Sequence, residues 1–300
     1  MHSKSIETVA IFGGSGFLGQ LLLRVLENNG YKVLIFSRNK TNPNHCIWNP
    51  ALKQFPIQKL KEIDHMINLS GANLMTNKWT PEYKKILLES RTQPNRFLLN
   101  LLSEHKHTVK SFTSASGISI YGDRGDVVLT EKDEPGVCFL EKLCVNWEQE
   151  ADQIRKLGIR TNVLRISPVV HKDSHFIAEQ MKFAKFGLLG SVGSGHQYVS
   201  WIHHEDLTNM FVFLIQNDSC NDVFNASTSS PVTQKELNTY LGEAIKRKQF
   251  APAIPTQVFK LFFGEKSQLI IDSIYAIPEN FIEKGFQFKY PKIQDALKHL

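Results

Sequence analysis

Residues 9–39 read VAIFGGSGFLGQLLLRVLENNGYKVLIFSRN, and the fold is decided in this stretch. Residues 9–12 form a short apolar run of strand length closed by glycines. Residues 16–29 then carry Phe17, Leu18, Leu21, Leu22, Val25 and Leu26 on one helical stripe. Gly30 follows where a left-handed cap would stop that helix. Residues 32–36 read as the next strand. Between first strand and helix, Gly14, Gly16 and Gly19 satisfy GxGxxG, and Gly13 adds the wider GxxGxxG spacing. The spacing alone is weak; its place after a strand and at the start of a helix is what gives it meaning. Gly13 would allow the tight turn, Gly16 the close approach of phosphates, and Gly19 the packing of helix on strand. A pyrophosphate would then lie on the helix N-terminus, among unpaired N–H groups and a positive dipole end. Gly19 is followed by Gln20 and Leu21 rather than Lys and Ser or Thr, which excludes a P-loop.

The second strand closes with Ser37 and Arg38. An acidic residue at this place accepts from the 2′-hydroxyl of NAD and repels a 2′-phosphate, whereas Arg pairs with the phosphate and stacks on adenine. The expected cofactor is therefore NADP(H). The competing reading of Arg38 is a solvated surface side chain.

Working outward, strands are expected at 45–48, 65–69, 110–113 and 160–166, with helices over 81–103 and 138–157. Pro94 should kink or break the first of these helices. Strands and helices alternating this regularly imply right-handed crossovers and a parallel sheet covered on both faces. The expected fold class is α/β, a doubly wound, Rossmann-like parallel sheet with a smaller C-terminal substrate lobe. After Ile166 the rhythm breaks at Pro168, Gly187, Gly190, Gly193 and Gly195. We expect a nucleotide-binding domain over 1–166 and mostly substrate lobe over 167–300, with 223–226 returning to the main sheet. A cleft between them is the natural binding site.

The chain has 300 residues, 42% hydrophobic and 21% charged, as in an ordinary globular protein. Its net charge of +6 comes from 35 basic residues interspersed among 29 acidic ones. Scattered cations and the lack of a reading module argue against nucleic acid. The densest cluster, Lys246, Arg247 and Lys248, ends an apparent helix, where cations favour the dipole. Cys46, Cys138, Cys144 and Cys220 lie far apart without a CxxC, which suits free thiols in a reducing, cytoplasmic setting. The N-terminal stretch shows no signal-peptide pattern, and no apolar run approaches the ~18 residues of a membrane span.

Along nearly the whole chain run the stretches IFGGSGFLG, INLSGAN, KWTPEYKKILLESR, FTSASGISIYGDRGD, VNWEQEA, LGSVGSGHQYVSWIHHEDL, VFNASTSSPVTQKEL and GFQFKYP. In these the chain resembles the atypical extended short-chain dehydrogenase/reductases of the SDR39U1 type. These proteins are grouped with the NAD-dependent epimerases/dehydratases and carry a DUF1731-like C-terminal region. The resemblance implies an NADP-binding Rossmann-like domain with a small substrate lobe, in a group whose small-molecule substrate is unassigned; that neither nucleic acid nor membrane is a partner is expected from the scattered charge and the short apolar runs. Residue by residue it assigns cofactor contacts to Gly13, Gly16, Phe17 and Leu18, to Ser37 and Arg38, to Leu69, Ser70 and Gly71, and to Arg91. Judged by residue type alone, Arg91 fits equally a helix-surface ion pair.

Active relatives pair a Ser or Thr with Tyr and Lys spaced YxxxK, which places Tyr and Lys on one helix face. Lys lowers the Tyr pKa so that the phenol can exchange a proton as hydride moves. Ser114 matches the serine. Aligning Glu148 with the glutamate that follows the Lys puts Leu140 at the Tyr position and Cys144 at the Lys position. Lys142 points about 200° around the helix from Cys144. Tyr121 is the one candidate for a replacement phenol, with a packing role as the alternative. In the second lobe, His196, Gln197, Trp201 and His203 are expected to line the cleft. No metal is expected at the run His203, His204, Glu205 and Asp206, because neighbours within one helical turn point apart, and Asp206 is read as stabilising the helix start. Two readings follow: an NADP(H)-dependent oxidoreductase or epimerase, or a catalytically silent NADP(H)-binding sensor.

Overall fold

The computed structural model describes residues 6–39 and 45–298; residues 1–5, part of the N-terminal stretch discussed above, lie outside the described residues. Seven strands form the central sheet: β1 (Thr8–Phe12), β2 (Lys32–Ser37), β3 (His45–Ile47), β4 (His65–Asn68), β5 (Ser111–Gly117), β6 (Arg160–Ile166) and β7 (Val223–Ala226). Their spatial order is β7-β6-β5-β4-β1-β2-β3, and every neighbouring pair is parallel. The chain runs outward from β1 through β2 to β3, then returns to place β4 on the other side of β1. That reversal opens a crevice at the carboxyl ends of β1 and β4, where ligands bind in this architecture.

Side-chain alternation explains why the sheet is covered twice. Val9 and Ile11 face α1 (Phe17–Asn28) and contribute to one core with Leu22 and Leu26. Ala10 and Phe12 face the other way, toward Leu98 and Leu102 of α2 (Pro81–Glu104) and Ala151 and Ile154 of α3 (Phe139–Arg155). The smaller lobe has its own core around Ile177 of α4 (His175–Ala184), Trp201, Leu237 and Leu241, and Ile293. It joins the sheet domain partly through Tyr275–Ala276, which pairs with Val128–Leu129.

Most expected elements are present, with two informative differences. Helix α2 runs unbroken through Pro94, which is buried. The ring forfeits one bond to the carbonyl four residues back, and packing on the sheet holds the helix on either side. The second difference is α5 (His204–Gln216), which lies beyond the expected boundary at 166 and yet packs on the sheet. Its Leu207, Met210, Phe211 and Leu214 complete the core under β1 and α1, so the sheet domain reclaims this helix as well as β7. All four cysteines are free thiols. Among the described residues no helix is long and apolar enough to cross a membrane.

Helix α1 ends as its sequence dictates: Gly30 has φ +83°, and Tyr31 N–H reaches Leu26 O at 3.1 Å. At its other end the glycines divide their work. A Cβ on Gly19 would fall onto the Gly14 backbone, whereas one on Gly16 would meet only Gly13 O, at 3.5 Å. Gly19→Ala should therefore cost about 1–3 kcal/mol in urea unfolding. Gly16→Ser, which adds a favourable N-cap hydroxyl, should stay within about 0.5 kcal/mol of the parent. Equal costs for the two would contradict this division.

Candidate functional site

The site is built where β1, β4, β5 and β6 end. Gly13, at φ +75°, turns the chain out of β1, and its N–H donates to Phe36 O at 3.0 Å. A Cβ there would come within 3.1 Å of the Ser70 nitrogen, so the turn rests directly on the backbone leaving β4. Gly14 sits equally close to Ile35, where a Cβ would approach Cδ1 to 2.7 Å. The loop is thus held from below, while Gly16 and Phe17 are exposed above it and Leu18 is half-buried. No side chain caps α1, so its first N–H groups present donors and a positive dipole end to the crevice.

Ser37 and Arg38 close β2 beside this loop. Ser37 is buried, its hydroxyl donating to Asn39 O at 2.5 Å. Arg38 is exposed, and among the described residues its guanidinium makes no ion pair. Leu69 continues the β4 ladder through its N–H to Phe12 O, and Ser70 N–H is held by Asn68 Oδ1 at 3.0 Å. Exposed Gly71 follows, and beneath it lies Arg91: a Cβ on Gly71 would stand 3.2 Å from the Arg91 Cζ.

Arg91 is not the helix-surface ion pair that residue type alone allowed. It is 7% exposed, donates from Nη1 to Leu87 O at 3.1 Å, and lies 5.1 Å from the Trp147 ring. Its Nε is buried without a partner, and among the described residues no carboxylate pairs with it. Burial pulls its pKa below the ordinary arginine value. A buried, unneutralised guanidinium is costly unless an acceptor is brought to it. Together with the uncapped start of α1, it gives the crevice the donor set of an anion site.

Ser114, in the middle of β5 and paired with Asn68 at the end of β4, is 1% exposed and belongs to a chain of buried polar groups. Asn68 donates to Asn95 Oδ1 at 2.5 Å, and Asn95 donates to Ser114 Oγ at 3.1 Å. This chain ties β4, α2 and β5 together directly under the crevice.

Tyr121 is a different case, and the expectation of a replacement phenol is corrected here. The side chain is 0% exposed. Its hydroxyl accepts from Arg165 Nη1 at 2.9 Å and faces Asn225 Oδ1 at 2.7 Å and Thr130 O at 2.9 Å. Burial pushes its pKa up to about 12. Arg165 in turn makes a bidentate pair with Glu148, both contacts at 2.9 Å, and Ser116 donates to the same carboxylate at 2.7 Å. Tyr121 is therefore an anchor joining β6 and β7 to the 118–130 loop. Leu140 and Cys144 are each 3% exposed; Cys144 packs with Tyr121, Leu87 and Leu143 in an apolar cluster. Burial raises the Cys144 thiol to about 12, so it is held as an inert thiol.

The four lobe residues expected to line a cleft do not act together. Trp201 is fully buried in the lobe core, its indole donating to Ser230 O at 3.1 Å. His203 is 2% exposed, caps α5 by accepting from Glu205 N, and stacks on Tyr290 with ring centroids 3.8 Å apart. Gln197 is half-buried and braces its loop against Gln234 Oε1 at 2.9 Å, whereas His196 is exposed. Trp201 and His203 are core residues because their motif marks the join between lobe and α5, a packing role with the same sequence pattern as a binding one. The ligating atoms of His203, His204 and Glu205 lie within 4.8 Å of one another. They converge because His203 is still extended while α5 begins at His204, a difference from the expectation that neighbours point apart. Glu205 is engaged by Lys289 Nζ at 2.6 Å and Tyr290 OH at 3.2 Å.

Sequence reasoning passed over the Arg165–Glu148 pair and the Asn68–Asn95–Ser114 chain. An arginine inside the buried strand TNVLRIS was the available signal, since a cation there demands a carboxylate.

Comparison with known proteins places this geometry. The sequence profile of the NAD dependent epimerase/dehydratase family matches residues 9–227, and that of a domain of unknown function, DUF1731, matches 254–300. An epimerase family protein of Mycobacterium leprae is 32% identical, over 97% of this chain and 94% of its own length. A chloroplastic epimerase family protein of Arabidopsis thaliana, named an SDR39U1 homolog, is 29% identical over 99% of this chain and 87% of its own. The crystal structure of human epimerase family protein SDR39U1 with NADPH superposes with a TM-score of 0.87 at 25% identity, covering 97% of this chain and 98% of that one. A profile match over most of the chain, a relative above 30% identity along its full length and the shared fold agree: the chain belongs to the NAD dependent epimerase/dehydratase family, with the SDR39U1-type proteins among its relatives.

Proposed function

We propose that the chain binds NADP(H) at the carboxyl ends of β1, β2 and β4 and acts on a small-molecule substrate as an oxidoreductase or epimerase. The observation that carries this reading is a donor set with no anionic partner of its own. The uncapped start of α1, exposed Arg38 and the buried, unneutralised Arg91 surround one crevice, and all of them call for an anion. In this reading Gly13, Gly16, Phe17 and Leu18 face the pyrophosphate, and Ser37 and Arg38 face the adenosine 2′-phosphate. Leu69, Ser70 and Gly71 form the floor, and Arg91 supplies charge from beneath it. The human relative solved with NADPH supports the choice of NADP(H) over NAD(H). When bound, the nicotinamide would accept or deliver hydride.

The chain's own residues offer little proton chemistry beside it. Ser114 supplies a hydroxyl from the middle of β5, level with the end of β4 and positioned by Asn95. Leu140 and Cys144 stand where the Tyr and Lys of active relatives are expected, and Tyr121 is fixed elsewhere by Arg165 and Asn225. These observations favour a second reading, a catalytically silent protein that binds NADP(H) and reports its redox state. Turnover separates the two.

For the cofactor, titration of NADPH and NADH by fluorescence should show preference for NADPH. Arg38→Asp should narrow that preference by about tenfold or more, equivalent to ~1.4 kcal/mol. Gly16→Ser should weaken both dinucleotides although the fold tolerates it; unchanged affinities in both variants would overturn the assigned site. For the chemistry, carbonyl and nucleotide-sugar panels should be followed through NADPH absorbance. The enzyme reading expects turnover that falls by about 10²-fold in Ser114→Ala. Tyr121→Phe should leave turnover intact and cost about 1–3 kcal/mol of stability. Stoichiometric NADPH binding with no turnover on any panel would replace the enzyme reading with the sensor.

A further inference from the structure

A second group of unneutralised charges lies away from the glycine loop, where the 121–125 turn meets the 272–275 segment. Glu141, in the first turn of α3, is 3% exposed, and its Oε2 is buried with no hydrogen-bond partner. Its carboxylate lies against Gly122, where a Cβ would come within 2.5 Å of Oε1. Gly122 has φ +67°, so the turn brings the backbone down onto the carboxylate. The next residue, Asp123, is exposed and accepts from Ser273 N at 3.2 Å. That bond sets Asp272, half-buried, beside the same turn. The backbone bond from Arg124 N to Ser273 O at 3.0 Å fixes the two segments together.

Among the described residues no Lys or Arg forms an ion pair with Glu141, Asp123 or Asp272, in a chain whose net charge is +6. Burial, then Asp123 and Glu141, push the Asp272 carboxyl up to about 7, against a weaker pull from Lys260. The buried Glu141 carboxylate, and to a lesser degree the half-buried Asp272, is costly without a counter-charge, and exposed Asp123 adds like charge beside them. Elsewhere Glu148 pairs with Arg165, Glu205 with Lys289 and Asp64 with Lys110, and buried Asp206 accepts from the backbone N–H groups of Lys289 and Tyr290.

We propose that Glu141, Asp123 and Asp272 form a subsite for the protonated amine of an organic ligand, at the join between the sheet domain and the lobe. A bare metal ion fits less well. The one group of three His, Cys or acidic residues found among the described residues with ligating atoms within 4.8 Å of one another is His203, His204 and Glu205. The three carboxylates are thus too widely spread to share one bare divalent ion, which takes its oxygen ligands at about 2.0–2.6 Å. An ammonium group instead bonds one carboxylate directly and offsets the others across several ångströms. Asp123 and Asp272 are open to the ligand, and Glu141 contributes its field from beneath. The subsite adjoins the lobe that the sequence reading expects to hold substrate and rests on that reading, and binding alone tests it, so it stands or falls separately from turnover.

The probe is putrescine, titrated calorimetrically at constant ionic strength and about pH 8, above the raised Asp272 pKa of about 7. The wild-type chain should bind it saturably with one site. Asp272→Asn and Glu141→Gln should each weaken binding by about tenfold or more while NADPH affinity stays at the parent value. A second readout separates a binding role from a structural one. Because the folded state raises the Asp272 carboxyl, the folded chain holds a proton that the unfolded chain releases. Its stability contribution is present at low pH and lost as pH rises from about 4 through 7. Without ligand, Asp272→Asn should therefore melt higher than the parent at about pH 8 and equal to it near pH 4. Absence of saturable putrescine binding, equal binding in both variants, or a lower melting temperature at the higher pH would each overturn the proposal. So would calcium or magnesium binding that putrescine does not displace.

Discussion

No methyl group fits between Gly14 and Gly19, and the rest of the structure depends on that contact. With backbone against backbone, α1 starts close to the end of β1, and Gly13 can turn directly over the chain leaving β4. The helix N-terminus then points into the crevice where the strand order reverses, rather than over the edge of the sheet. Everything assigned to the cofactor follows from this placement. Arg38 arrives because β2 lies alongside β1, and Gly71 because β4 lies on its other side. Arg91 comes from beneath, on the helix that follows β4.

A second constraint works one strand further along. Arg165 lies in β6, inside the sheet, where a cation must be paired. Its bidentate contact with Glu148 fixes α3, and its contact with the Tyr121 hydroxyl fixes the 118–121 turn. Asn225 completes the arrangement from β7. The polar groups near the ends of β5, β6 and β7 are thus spent on one another. The face of α3 that carries Leu140 and Cys144 is an apolar wall. A crevice with unneutralised donors therefore stands beside an anchor in which Arg165, Glu148, Tyr121 and Asn225 satisfy one another. That contrast is the physical basis for separating cofactor binding, which the geometry supports, from chemistry, which turnover must decide.

Much of this was legible in the residues. The short apolar runs and the helical stripe of 9–39 placed β1, α1 and β2 nearly to the residue, because the strands are short, largely buried runs and the helix buries one face. Arg160 to Ile166 and Val223 to Ala226 were legible as strands for the same reason. Pro94 misled because its cost is local, whereas the packing that holds α2 together is spread along its length. The lobe residues misled for another reason: Trp201 and His203 belong to a motif whose conspicuous side chains serve packing and capping, and sequence does not separate a capping histidine from one that faces a ligand. Tyr121 was ambiguous until Arg165 and Asn225, distant in sequence, were placed around its hydroxyl. Glu141 had no signal at all, since its isolation depends on which cations the fold leaves out of reach.

The most direct test of this account is hydrogen exchange with and without NADPH. Bound NADPH should slow exchange in peptides spanning 13–20 and 68–72, whose amides line the crevice. Peptides spanning 118–122, already held by the Tyr121 anchor, should exchange equally in both states. Protection confined to 118–122 and the lobe, with none at the start of α1, would contradict it.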